Sequence, residues 1–409
     1  MRKESFSLFA LSALLILLAA CASAGGPTPN PNVRNLRPTL EAPAYMQSAA
    51  LITPENIASV QLLGRLDQPE TPSTLFAHTV SPDGTRLVGL NNEEILAWDL
   101  LTGELVFHTA RLDAVNAFYS PDKTEIYTIT AAGQVVIYDA DSGAERSAMQ
   151  VHDHYNNVLA YDPFTGRAAF AGDDGTIRVW DLLERQALAE INAHSGSIST
   201  LAFSADGARL ASAGIDNRAR LWDWQERALL GELNLENLPV NRMQFSPDGA
   251  QVALGSQSDV RLWSTVDASL TRRLAAPAGG AGQVLYSPSG RYLAAGSAAG
   301  GLQVWNPVST VEIGLLPLSG AQLSADFAPE GDLLVASTLG EGAAVFNLPD
   351  AEGGQIPRGE LSLPGSTIFA VEWTDDSRLI LLFDAGGQVY VMGVGEGSGG
   401  EVFQEGRTL

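Results

Sequence analysis

A short turn sequence returns eight times along this 409-residue chain, and that repetition constrains the fold more than any other feature. It reads SPDG from Ser81, SPDK from Ser120, DPFTG from Asp162, SADG from Ser204, SPDG from Ser246, SPSG from Ser287, APEG from Ala328 and TDDS from Thr374. Most intervals are about 42 residues, the length of one supersecondary unit. A second anchor follows each turn at a fixed offset: Trp98-Asp99, Tyr138-Asp139, Trp180-Asp181, Trp222-Asp223, Trp263-Ser264, Trp305-Asn306 and Phe346-Asn347, with Met392-Gly393 in the eighth copy. Two anchors locked in register through eight copies do not arise from composition.

The turn chemistry explains the unit. Proline presets φ, Ser and Asp bond to the local backbone, and glycine accepts a positive φ where a hairpin closes. Around the turn at Ser204 lie four β-rich runs: SISTLAF, ARLASAG, NRARLWD and ALLGELN. Each copy therefore reads as a four-stranded antiparallel sheet. One such sheet cannot bury both faces alone, and radial stacking of the copies solves this.

The stretches FSADGARLASAGIDNRARLWD and GDDGTIRVWDL resemble WD-repeat β-propeller blades, and the likeness runs from about residue 57 to 394. It implies an all-β ring of eight blades, a seven-bladed ring with one irregular copy being the alternative. Only seven outer strands follow the eight inner units. The segment ASVQLLGRLD (58–67) resembles the outer strand RALLGELNLE and is expected to complete the last blade. Closure matters because an open sheet edge invites aggregation.

The family likeness also assigns His194, Ser212, Asp216 and Trp222 in the fourth copy to a buried hydrogen-bonded tetrad. The third copy keeps His152, Asp174 and Trp180 but has Phe170 in the serine position. A serine, a histidine and an aspartate this close could instead form a hydrolytic triad, which needs an exposed nucleophile and oxyanion donors. No GxSxG occurs, so the tetrad reading is preferred and no enzyme activity is expected. The HDH at 152–154 lacks a third ligand at metal spacing, and no phosphate loop or cofactor motif is present; no metal and no cofactor is expected.

Partners in WD-repeat proteins often dock where the inner strands begin and the second-to-third-strand turns emerge. Carried over copy by copy, the positions include Phe76, Asn91, Asp113, Tyr155, Asn157, Asp173, Asn241 and Phe369, with Ile215 in the fourth copy. Phe76 and Phe369 are expected side by side across the ring closure, with Tyr155 two blades on. A net charge of −23 repels phosphate backbones, so nucleic acid is an unfavoured partner. A protein partner, on a monomeric propeller, is the expectation.

The chain opens with MRKESFSLFALSALLILLAAC: two basic residues, an apolar run too short to span a bilayer comfortably, then small residues before the only cysteine. This resembles a bacterial lipoprotein signal, which implies cleavage after residue 20 and acylation (palmitate among the chains) at Cys21. Residues 21–50 then read as a Pro/Gly/Asn-rich tether, 51–395 as the propeller, and 396–409 as a Gly-rich tail. The expected whole is a membrane-tethered, extracytoplasmic interaction platform. The alternatives are an envelope-assembly factor or a propeller that binds a small ligand in its channel.

Overall fold

The computed structural model describes residues 49–394, apart from 70–72, 297–300, 317, 319–321, 330, 339–341, 350–355, 362 and 364. Cys21, residues 22–48 of the expected tether and the Gly-rich tail lie outside the described residues, as does the side chain of Asn157, whereas Ala49 is buried in the core and Ala50 bridges Val394.

Every copy of the turn joins the first two strands of a four-stranded antiparallel sheet, and the described residues form eight such sheets, the blades of a propeller. In blade 4 the strands are Ile198–Phe203, Arg209–Gly214, Arg218–Asp223 and Ala228–Asn234, from the channel outward. Blade 8 takes Ile368–Trp373, Leu379–Asp384 and Val389–Gly393 from the end of the chain and its outer strand, Gln61–Arg65, from the beginning. Gln61 lies opposite Gly393 and Arg65 opposite Tyr390, so the eighth sheet welds the two ends of the ring together. One 3-10 turn, Ile57–Ser59, precedes the closing strand. Among the described residues no helix is long and apolar enough to cross a membrane.

The repeated turn works through its hydroxyl and its carboxylate. Ser81 Oγ donates to Asp83 Oδ1 (2.7 Å) and accepts from Arg86 N (3.0 Å), while Gly84 takes φ +70°. Ser204 with Asp206, Ser246 with Asp248 and Thr374 with Asp376 repeat the first bond. These bonds hold Asp206 and Asp248 below the usual carboxylate range.

Between blades, apolar side chains of one sheet pack on the next. Ala211, Ala213 and Leu221 of blade 4, for example, share a cluster with Met243, Phe245, Val252 and Trp263 of blade 5. Each large aliphatic or aromatic chain fully buried there contributes about 1.5–3 kcal/mol.

Polar groups lace the channel wall as well, with at least one bond at each of the eight joints. Thr79 Oγ1 donates to Ala117 O (3.1 Å), Tyr161 OH to Tyr119 O (2.7 Å), Asn156 Nδ2 to Ile198 O (2.6 Å) and Ser199 Oγ to Val240 O (3.3 Å). Gln244 Oε1 accepts from Tyr286 N (2.7 Å), and Gln283 Nε2 donates to Ala325 O (3.0 Å). Asp326 Oδ2 accepts from Trp373 N (2.9 Å), and Glu372 Oε1 accepts from Val80 N (3.2 Å). Inner-strand backbone groups with no neighbouring strand on the channel side thereby find partners from the next blade.

Candidate functional site

The serine, histidine and aspartate of blade 4 do meet. His194 Nδ1 lies 2.8 Å from Asp216 Oδ1, His194 Nε2 lies 2.8 Å from Ser212 Oγ, and Trp222 Nε1 donates to Ser212 Oγ at 3.0 Å. Two lone pairs cannot sit 2.8 Å apart, so the proton between His194 and Asp216 is on Nδ1, and Nε2 accepts from the serine hydroxyl. Burial pulls His194 below its ordinary value, which keeps the ring neutral. Burial alone would raise Asp216, but bonds from Arg220 and His194 outweigh it and hold the carboxyl at about 2. Gly214 makes room: a Cβ there would fall 2.6 Å from His194 Nδ1.

The bonding order is that of a hydrolytic triad, and accessibility decides against one. Ser212 is 0 % exposed, and the indole of Trp222 already donates to its oxygen. No substrate carbonyl can reach that oxygen without dismantling the blade.

Blade 3 is wired differently, which corrects the expectation of one chain through His152, Asp174 and Trp180. Thr176 Oγ1 donates to Asp174 Oδ1 (2.7 Å), so it accepts from His152 Nε2 (3.0 Å); Nδ1 accepts from His154 N (3.1 Å). This is the opposite tautomer to that of His194. Phe170 offers no hydroxyl, and Trp180 Nε1 donates instead to Val151 O (3.1 Å). The joining residue, Thr176, is visible in the sequence two positions after Asp174 but is not a tetrad position.

On the face where inner strands begin, the residues divide. Ile215 is 69 % exposed, and Phe76, Asp113, Asp173 and Asn241 are also exposed. Asp113 pairs with Arg111, and Asp173 lies 3.5 Å from His154 Nδ1. Asn91 is no surface contact: it is buried, and its Oδ1 accepts from Glu93 N and Glu94 N to hold the turn. Tyr155 turns inward, its ring edge-on to Phe170 and its hydroxyl buried without a hydrogen-bond partner. Phe369 packs on the cluster of blades 1 and 8, and no ring contact among the described residues joins it to Phe76.

The other face carries a feature that belongs to none of the repeated motifs. A cavity of about 700 Å³ occupies the turn-side end of the channel, with Thr79, Asn116, Phe118, Tyr161, Phe164, Glu372 and Asp375 in its lining. Burial pushes Asp375 up to about 6, with Glu372 adding repulsion. Asp326, beside it, is pushed up to about 7 by burial and again by Glu372. The signal was positional. In the eighth turn an aspartate stands where five of the other turns place proline next after a serine or alanine, and copies seven and eight alone carry an acid two residues before the turn. Among the described residues no group of His, Cys, Asp and Glu is arranged to hold a metal.

Eight four-stranded blades, a turn–tryptophan repeat and a buried Ser–His–Asp–Trp relay define a WD-repeat-type β-propeller. A family model described as Nucleolar protein 10-like, N-terminal domain, a β-propeller, matches residues 78–299, more than half of the chain, and the chain belongs to that family. Among solved structures it is similar to the computationally designed Ika8 protein (19 % identity, TM-score 0.68, 82 % of this chain and 100 % of that one). It is also similar to the C-terminal WD40 domain of Sif2 (12 % identity, TM-score 0.65, 82 % and 98 %). At such identities the likeness is one of fold. No curated protein sequence matches. Propellers of the WD40 type commonly serve as protein-interaction scaffolds and are typically non-catalytic.

Proposed function

We propose that this chain is a non-catalytic protein-interaction platform, held at a bacterial envelope membrane through an acylated Cys21 and facing away from the cytoplasm. One observation carries the non-catalytic part: the Ser–His–Asp constellation of blade 4 is spent inside the blade, where Ser212 has no exposed surface. On the face where inner strands begin, Leu112 (80 % exposed) and Ile215 stand clear of the core, and apolar groups so placed support contact with another protein. The tether reading rests on the order of basic start, apolar run, small residues and cysteine.

Two measurements test it. Labelled palmitate should follow the wild-type chain and not Cys21→Ser; label retained by the variant overturns the anchor. A photo-crosslinking residue at position 215 should capture a protein from the native envelope, and the same residue at exposed Leu230 on the outer strand of blade 4 should not. Equal capture, or none, overturns docking on that face.

A further inference from the structure

We propose that the turn-side mouth of the channel is a binding site for a cationic segment of a partner protein, an arginine or lysine whose apolar stem lies on an aromatic wall and whose charge meets Asp375 and Glu372. The cavity is two-sided. Blades 2 and 3 supply Phe118 and Tyr161, whose ring centroids are 4.0 Å apart, and Phe164, which is 85 % exposed at the rim. Blade 8 supplies the lining acids, Glu372 and Asp375, and the buried Asp326 of blade 7 is bonded to blade 8 through Trp373 N.

Most carboxylates of this chain that show a lowered affinity for protons have a hydroxyl, a backbone N–H or an arginine on them. The acids of the channel mouth are in the opposite condition. Glu372 spends one oxygen on Val80 N and the other on His78 Nδ1, and Asp326 spends one on Trp373 N. These bonds pin the two acids close to each other without a lysine or arginine between them. Asp375 has no hydrogen-bond or ion-pair partner among the described residues and feels Glu372, Asp376 and Asp83. The nearest lysine, Lys123, is bonded to Asp83 (2.6 Å). An incoming guanidinium or ammonium group relieves that repulsion, and a side chain with an apolar stem also covers Phe164.

Charge and shape thus favour a cation on a chain over a bare ion. A cavity of this volume lies within the usual range for binding sites, about 300–1,000 Å³. The aromatic faces add attraction for a desolvated cation. This site lies at the other end of the ring from Ile215, so it extends the platform reading and can fail separately from it.

The test uses the full chain and equal-length fluorescent peptides bearing arginine and lysine, no charge, or glutamate, followed by anisotropy. The cationic peptide should bind, with affinity falling as salt rises. Asp375→Asn and Phe164→Ser, both in the cavity lining, should each weaken it about tenfold. Ile215→Ser should leave it unchanged. Neutral and cationic peptides binding alike, or variants binding like wild type, overturn the site. Spermidine that competes as tightly as the peptide, through Asp375 but not Phe164, reassigns it to small polyamines and overturns the protein-segment reading. Loss of peptide binding in Ile215→Ser moves the contact to the opposite face. Envelope capture at position 215 with no peptide effect of Asp375→Asn sinks this inference alone.

Discussion

Blades 4 and 5 are adjacent copies of one unit, yet they fill the same interior in opposite ways. In blade 4 a neutral relay runs from Asp216 through His194 and Ser212 to Trp222. In blade 5 Leu254 stands at the serine position, and Trp263 Nε1 is buried without a hydrogen-bond partner. Arg261, equivalent to the half-buried Arg220, is 1 % exposed there. Its Nε donates to Asp259 Oδ2 (3.1 Å) and its Nη1 to Leu235 O (2.9 Å). A fold that accepts either filling is specified by its turns and apolar faces. The polar interior is a local choice of each blade.

The largest effect expected from breaking this comparison is in blade 5. Arg261→Ala removes one member of a buried pair and leaves Asp259 Oδ2 with only the distant Arg273 (3.8 Å), while Oδ1 still accepts from Ser256 Oγ (2.6 Å), so it should cost about 3–5 kcal/mol. Chemical denaturation reads this as a lower midpoint; a shift under a third of that size means the pair is hydrated. Next in size is Ser212→Ala in blade 4. It strands Trp222 N–H and His194 Nε2, each worth about 1–3 kcal/mol when buried and unpaired. The same substitution at Ser195, an exposed residue, should be nearly silent.

Much of this architecture was legible because it rests on short-range chemistry. The eight turns, their tryptophan partners and the closing strand 58–67 all follow from local spacing. The relay of blade 4 was legible too, since every member is present in the family pattern. What escaped depends on which way a side chain turns within a strand. Tyr155 and Phe369 point to packing instead of solvent, and Asn91 serves its own turn. The acids of the channel were hidden for a different reason. Asp326, Glu372 and Asp375 belong to two different copies and meet only because the ring brings blades 7 and 8 together.

A third, smaller effect separates the two blades by pH. Burial holds His194 below its ordinary value of 6.5, so just under that pH the unfolded chain takes up a proton that the folded chain refuses. The relay's contribution is therefore fully present above pH 6.5 and is lost as pH falls toward the folded value. The difference in melting temperature between wild type and His194→Gln should shrink over that window. Arginine side chains do not titrate in this range, so the cost of Arg261→Ala should stay level across it. A wild-type–to–His194→Gln difference that is constant with pH means the imidazole binds its proton equally well in the folded and unfolded chain.

The smallest expected effect, Arg220→Ala, is the one that measures how far the two blades differ. Arg220 Nη1 bonds Asp216 Oδ2 at 2.7 Å and its Nη2 lies 2.8 Å from Glu232, but it keeps contact with solvent. Once it is removed, Asp216 still accepts from His194 Nδ1, so no carboxylate is left bare. The loss should be about 1 kcal/mol or less, the scale of partly exposed pairs. The two substitutions that share Asp216 should also couple. With His194→Gln as background, Arg220→Ala should cost more than it does alone, because Asp216 then depends on the arginine. Strict additivity in that cycle means that Asp216 is held by solvent, and that blade 4's relay begins at His194.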